Sequence, residues 1–140
     1  MSGAIDNTLN SGGKMKQDIR LSVIEELSKK YPNALTTVPH NVKPIIDDLE
    51  LEIFKDIGTM PRKLKRGIYA ALSWYRTWPA YLTSLISERG KRNLKGEVVI
   101  PISVVEKKQA HDELSRRGLL TGRISKLLKA KTGRIDTTHG

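Results

Sequence analysis

Residues 60–96 read MPRKLKRGIYAALSWYRTWPAYLTSLISERGKRNLKG, and two helical patterns lie within this stretch. Apolar residues first recur at intervals of three and four, at Leu64, Ile68, Ala71, Leu72 and Tyr75. This spacing predicts an amphipathic helix over residues 62–75. Pro79 then favours the first turn of a second, shorter helix over residues 80–86, because a first turn needs no hydrogen-bond donor from proline.

After Gly90 the pattern changes from helical to extended. Residues 91–94 and 97–102 are the expected strands of a small hairpin, and Lys95-Gly96 is the expected turn. The second strand includes Pro101, which cannot donate to a β-ladder and therefore confines this strand to an edge.

The segments on either side are also predicted to be helical. An apolar stripe predicts a helix over residues 18–31, and another helix is expected over residues 44–57. Ser103 and Glu106 have the spacing of a capping box, which predicts a helix that begins there and ends near residue 117. The predicted fold class is therefore mainly α, with about five helices and one β-hairpin after residue 90.

At 140 residues the chain is expected to form one domain. Its first 16 residues are polar and rich in glycine, without a secretory signal, and predict a flexible arm. Residues 17–114 are the predicted domain, and residues 115–140 are a basic tail. Within this tail, residues 119–131 mix apolar and basic side chains and are expected to fray, since no packing partner is evident.

Positive charge is segregated along the chain. Residues 60–95 carry nine Lys and Arg against one acidic residue, and the tail from residue 115 carries +6. Because the whole chain has a net charge of +10, the remaining residues carry −4. Five of the seven aromatic residues also lie within residues 60–95. Cations for phosphates and rings for bases favour a nucleic acid partner, with anionic membranes and acidic proteins as alternatives.

Signatures of catalysis are absent from the sequence. The chain has no cysteine, and its three histidines are too far apart in sequence for metal-ligand spacing. Acidic residues cluster over residues 47–56, where they either hold a divalent metal or form the solvated side of a helix; we expect the solvated side. We therefore expect no enzyme activity, cofactor, metal site or small-molecule substrate.

A second face of the helix over residues 62–75 is basic. Its residues recur at intervals of three and four, and they are Arg62, Arg66, Tyr69, Ser73 and Arg76, while Lys63 and Lys65 add charge at the start of the helix. A phosphate binds readily at the start of a helix, where backbone N–H groups are free. Tyr75 falls on the apolar side, so core packing and RNA contact are both open for this ring.

A further ordered set of residues runs through most of the chain. It comprises Tyr31-Pro32, Lys43-Pro44-Ile45, residues 49–57, Ala71-Leu72, Tyr75, Tyr81-Leu82, Leu94-Lys95-Gly96, Ala110 and Leu114. In order and spacing this set resembles the ProQ/FinO family of bacterial RNA chaperones over residues 18–114. Tyr69 and Ser73 differ from the family pattern, which commonly presents arginine at these helix positions.

The resemblance implies a single ProQ/FinO-like domain that binds structured RNA, chiefly terminator hairpins with a single-stranded 3′ uridine tail. By position, Lys65 would contact phosphate, Tyr81 would line the pocket for the 3′ end, and Lys91 would lie beside it on the hairpin. Together with the cations and rings above, the predicted RNA-binding residues are Lys43, Arg62, Lys63, Lys65, Arg66, Tyr69, Tyr75, Arg76, Tyr81, Lys91 and Arg92.

In this interpretation the partners are small RNAs and mRNA 3′ ends, and the protein is a cytoplasmic monomer that acts in post-transcriptional regulation. Its basic tail would add sequence-independent attraction or strand-exchange activity, as flanking extensions do in the family. Two other functions compete with this interpretation. One is a helix-turn-helix protein that reads duplex DNA with residues 62–76. The other is a structural or membrane-surface role led by the basic tail.

Overall fold

The computed structural model describes the backbone of residues 12–129 and the side chains of residues 19–129. Six α-helices, a 3₁₀ turn at Pro39–Asn41 and one two-stranded antiparallel sheet make up this part of the chain. In chain order the elements are α1 (Gly12–Lys30), α2 (Leu49–Ile57), α3 (Arg62–Tyr75), α4 (Pro79–Ser87), β1 (Gly90–Arg92), β2 (Val98–Pro101), α5 (Val104–Arg116) and α6 (122–129). Over the described range, no helix is both long and apolar enough to span a bilayer.

The mainly helical fold class with one hairpin is confirmed. Helix α3 has the predicted bounds, and α4 begins at Pro79 itself. At the start of α5, the Ser103 hydroxyl accepts a hydrogen bond from the Glu106 N–H at 3.0 Å, and Glu106 accepts one in return from the Ser103 N–H. The predicted capping box is therefore present.

The hairpin turn depends on a glycine. Gly96 has a φ of 86°, and a Cβ at this position would lie 2.7 Å from the carbonyl oxygen of Asn33. Only glycine adopts this conformation so close to another backbone without strain. The hairpin tip is thus held against the loop that follows α1.

Two apolar clusters form the core. The larger lies between α1, α2 and α3, with Ile24, Ile53, Leu72 and Tyr75 fully buried at its centre. The smaller lies between α4 and α5 and contains Leu82, Ile86, Ala110 and Leu114. Helix α5 is also tied to the end of α4 by Lys107, whose Nζ donates to the carbonyl oxygens of Leu85 and Ile86 at 2.8 and 2.9 Å.

Helix α2 begins later than predicted, at Leu49 rather than at Pro44. The preceding segment is extended and pairs in parallel with β1, because Arg92 N–H donates to Pro44 O and Ile46 N–H donates to Arg92 O. These bonds are non-local, so the apolar spacing of residues 45–57 did not reveal them. This isolated parallel bridge between Ile45 and Arg92 holds the segment against the two-stranded hairpin.

The expectation that residues 119–131 fray is wrong for the portion that the structure describes. Thr121 caps α6 by accepting a hydrogen bond from the Ile124 N–H at 3.2 Å. The apolar residues of this segment pack on the α4–α5 cluster through Leu120, Ile124, Leu127 and Leu128. This packing surface forms only when α4 and α5 pack together in the tertiary structure. Residues 130–140 lie outside the described range.

Candidate nucleic-acid interface

Exposed positive charge is concentrated in the first turns of α3. We call Arg62, Lys63, Lys65 and Arg66 the α3 basic surface; Lys65 is partly buried and the other three are exposed. None of the four forms an ion pair with a side chain that the structure describes. The opposite side of α3 is buried in the larger core cluster, which fixes the direction of this surface toward solvent.

The start of α3 reinforces this charge. Pro61 precedes the helix without a side-chain cap, and no acidic residue lies in the first turn. The free N–H groups and the positive end of the helix dipole therefore add to the cationic side chains. Such an arrangement attracts phosphate groups.

An aromatic pair lies next to the α3 basic surface. Tyr69 is 45% exposed and packs edge to face on Phe54, with 5.3 Å between ring centroids. Lys65 Nζ lies over the Phe54 ring, 5.6 Å from its centroid. The exposed ring of Tyr69 can accept a stacked base, and the neighbouring cations can hold the adjoining phosphates.

Tyr75 and Tyr81 are buried instead. Tyr75 is fully buried and its hydroxyl accepts a hydrogen bond from the Thr36 N–H at 3.2 Å. The Tyr81 hydroxyl accepts from the Ile45 N–H at 3.1 Å and donates to the Ile45 carbonyl oxygen at 3.2 Å. Burial raises the pKa of Tyr75 to about 12 and also raises the pKa of Tyr81. Both phenols are therefore neutral at ordinary pH, and each holds a loop to the core.

Arg76 is also turned inward, away from the face that the helical spacing predicted. Its Nη1 and Nη2 donate to the two carboxylate oxygens of Glu50 at 2.8 and 3.1 Å, and Nη2 also donates to Ile46 O at 2.9 Å. Burial opposes the charge of Arg76, but the hydrogen bonds to Glu50 outweigh it and raise the pKa of the guanidinium. Arg76 therefore fastens α3 to the start of α2.

The acidic residues at 47–56 are not simply a solvated helix side. Glu50 is only 3% exposed, Glu52 accepts a hydrogen bond from the Leu94 N–H, and Asp56 accepts one from the Tyr31 hydroxyl at 2.6 Å. Within residues 19–129, no three His, Cys, Asp or Glu side chains are grouped as a metal ion would require. These carboxylates thus connect α2 to the hairpin and to α1.

Lys91 lies at a junction of three elements. It is 6% exposed, and its Nζ pairs with Asp47 at 3.1 Å and with Glu106, the residue of the capping box. Burial opposes the charge of Lys91, while hydrogen bonds to Glu106 and Asp47 prevail and raise its pKa. A phosphate at this position would therefore have to compete with two carboxylates.

The remaining predicted cations lie on one side of the hairpin. Lys43 Nζ contacts Glu88 at 3.2 Å, and Arg92 Nη2 contacts the other oxygen of the same carboxylate at 3.8 Å. Lys43 and Arg92 also line a polar depression of about 400 Å³ together with Lys95. Two cations share one carboxylate here, so the depression keeps a positive character with Lys95 at its edge.

The structure thus divides the predicted RNA-binding residues into three sets. The α3 basic surface and Tyr69 form one set, exposed except for Lys65, and the partly buried Lys43 and Arg92 line the depression beside the hairpin. A third set supports the fold, with Tyr75, Tyr81 and Lys91 buried and Arg76 partly buried. Sequence reasoning missed Lys95, although it stands in the predicted hairpin turn, where side chains point to solvent.

Comparison with known proteins shows the fold. No family model matches the chain, and no curated protein matches it. A solved structure that is similar is the solution structure of a ProQ homolog from Legionella pneumophila, with a TM-score of 0.59 and 24% sequence identity. The match covers 73% of this chain and 85% of that protein. The chain therefore has a ProQ-like fold, as the sequence resemblance implied.

Proposed function

We propose that the protein is a non-catalytic, cytoplasmic RNA chaperone that binds structured RNA for post-transcriptional regulation by small RNAs. Its preferred ligands are terminator-type hairpins that end in a single-stranded 3′ uridine tail. The observation that carries this proposal is the α3 basic surface, four cations without ion-pair partners among the described residues, beside the exposed ring of Tyr69. The ProQ-like fold supports the same conclusion.

The chemistry of RNA explains why such a surface suits a hairpin. An A-form helix has a deep, narrow major groove, so a protein that selects hairpins must hold the backbone by charge and recognise the unpaired end by fit. The α3 basic surface would hold phosphates of the stem. Tyr69 and the depression lined by Lys43, Arg92 and Lys95 would face unpaired nucleotides, and Lys91 would act beside them on the hairpin.

We assign this activity to residues 17–114 of a monomer, preceded by residues 1–16, of which 12–16 belong to α1, and followed by the basic tail at 115–140. With about six phosphates neutralised, affinity for RNA should fall with salt at a log–log slope of roughly −4 to −5. In this range the binding energy comes mostly from phosphate contacts, whereas selectivity comes from the shape and the end of the RNA.

A gel-shift titration against two ligands tests the class of nucleic acid. One ligand is a terminator hairpin RNA with its 3′ uridine tail, and the other is duplex DNA of the same stem sequence. We expect the RNA to bind at least tenfold more tightly at about 150 mM salt, since only the RNA offers both an A-form stem and an unpaired end. Equal affinities for the two ligands would indicate that the basic surface binds nucleic acids only by nonspecific charge attraction.

One observation favours duplex DNA as the alternative ligand. Helices α2 and α3 are joined by residues 58–61, which begin with Gly58 at a φ of 89°. A short glycine-containing turn before a basic helix is the arrangement of a helix-turn-helix, in which the start of the second helix reads the major groove. Tighter binding of the DNA duplex in the titration above would select this alternative.

A further inference from the structure

A groove lies between the 3₁₀ turn at Pro39–Asn41, helix α4 and helix α6. Its volume is about 560 Å³, within the range of pockets that hold small ligands. Its lining includes the apolar side chains of Val42, Ala80 and Ile124. The lining also includes polar side chains, among them Lys43, Ser87 and Arg123. Helix α6 therefore builds one side of a concave surface on the domain.

The position of α6 is fixed by specific contacts. The N–H of Leu119 donates to Leu114 O at 2.8 Å, so the chain turns back directly after α5. Arg117 Nη1 donates to the carbonyl oxygen of Thr77 at 2.7 Å, which ties this turn to the start of α4. Together with the packing of α6 on the α4–α5 cluster, these bonds give the groove a defined shape.

Arg123 lines this groove and is not among the RNA-binding residues predicted from the sequence. It is exposed, and it has no ion pair or hydrogen bond with any described side chain. Glu88 also lines the groove, but its two carboxylate oxygens face Lys43 and Arg92. An incoming anion would therefore meet Arg123 without displacing an existing partner.

The groove offers the three kinds of contact that one nucleotide needs. Arg123 and Lys43 can bind a phosphate, the hydroxyls of Thr83 and Ser87 can bond a ribose 2′-OH, and the apolar side chains of the lining can cover a base. Lys43 lines both this groove and the depression beside the hairpin, so the two depressions are adjacent. A single strand that leaves the depression would pass into the groove.

We propose that helix α6 is part of the RNA site and that the groove between α4 and α6 holds one unpaired nucleotide of the bound RNA. Arg123 binds the phosphate of this nucleotide. The proposal rests on the proposed function and assigns a defined task to part of the basic tail, in place of general attraction alone.

The test compares two single variants of the full chain, Arg123→Ala and Lys126→Ala. Both residues are exposed on α6 and carry the same charge, but Lys126 lines neither this groove nor the depression beside the hairpin. Each variant is titrated against a hairpin RNA with a single-stranded 3′ tail and against the stem without the tail. Because both side chains are exposed, neither change should alter the melting temperature.

We expect Arg123→Ala to weaken binding of the tailed RNA about tenfold, the loss typical of one charged hydrogen bond. Binding of the tail-less stem should change less than about twofold, as should the binding of both RNAs to Lys126→Ala. Equal losses for the two variants, or equal losses on the two RNAs, would overturn the proposal while leaving the proposed function intact. Failure of the unchanged protein to bind either RNA would overturn both.

Discussion

Replacing Arg62, Lys63 and Arg66 together by alanine should weaken RNA binding on the order of 100-fold at about 150 mM salt. The slope of log affinity against log salt should also become shallower by about two to three, since each lost phosphate contact removes roughly 0.7 to 0.9. All three side chains are exposed at the start of α3 and lack ion-pair partners in the described part of the chain. Gel-shift titrations of a tailed hairpin at four salt concentrations measure both quantities.

A matched variant removes the same charge elsewhere. Lys108, Arg116 and Lys126 are exposed on α5 and α6, so their joint replacement by alanine lowers the net charge of the chain equally. This control should change the salt slope by less than one, because it leaves the α3 basic surface intact. If the two triple variants lose affinity and slope alike, the whole-protein field, and not α3, attracts the RNA.

Glu50→Ala should lower the free energy of unfolding by about 3 kcal/mol, within the range for breaking a buried ion pair. The Glu50 side chain is 4% exposed, and its removal leaves the charge of Arg76 with only the carbonyl oxygens of Ile46 and Asp47. Urea unfolding at neutral pH measures the change. Since Arg76 fastens α3 to α2, loosening this pair also weakens the support of the α3 basic surface.

The double replacement Glu50→Leu with Arg76→Leu is the matched control for this pair. It removes both charges and fills the space with apolar groups, so it should cost less stability than Glu50→Ala alone. A cost of less than about 1 kcal/mol for Glu50→Ala would show that Arg76 is satisfied without the carboxylate. The ion pair would then contribute little to the positioning of α3.

Local signals were readable from the sequence alone. The 3.6-residue period of α3, the proline at the start of α4 and the Ser103–Glu106 capping box each depend on residues close together in the chain. Such patterns are fixed by backbone geometry and by hydrogen bonds between near neighbours. The resemblance to ProQ/FinO proteins added the tertiary arrangement, and the structural comparison confirms this fold.

Long-range pairing was not readable. Arg76 pairs with Glu50, which is 26 residues away in the sequence, and Lys91 pairs with Asp47, which is 44 residues away. Nothing in the local pattern distinguishes these cations from the exposed ones at the start of α3. The helix after residue 121 was missed for a similar reason, because its packing surface exists only once α4 and α5 meet.

Burial also changes how Tyr81 and Lys91 would serve an RNA terminus. Tyr81 holds the backbone of Ile45, and Lys91 joins the hairpin to Asp47 and Glu106. Both residues thereby shape the segment around Lys43, which lines the depression and the groove. In our proposal, Tyr81 and Lys91 contribute to binding of the RNA end by positioning the segment around Lys43, in addition to contacting the RNA directly.

Recognition of the RNA 3′ end is tested by the affinity of the unchanged protein for one terminator hairpin in three forms. The first carries a free 3′ uridine tail, the second carries the same tail with a blocking 3′ phosphate, and the third is the stem without a tail. Our account predicts a clear preference for the free tail, because the unpaired end enters a site of defined shape beside the hairpin. Equal binding of all three forms would contradict it and leave only charge attraction to the α3 basic surface.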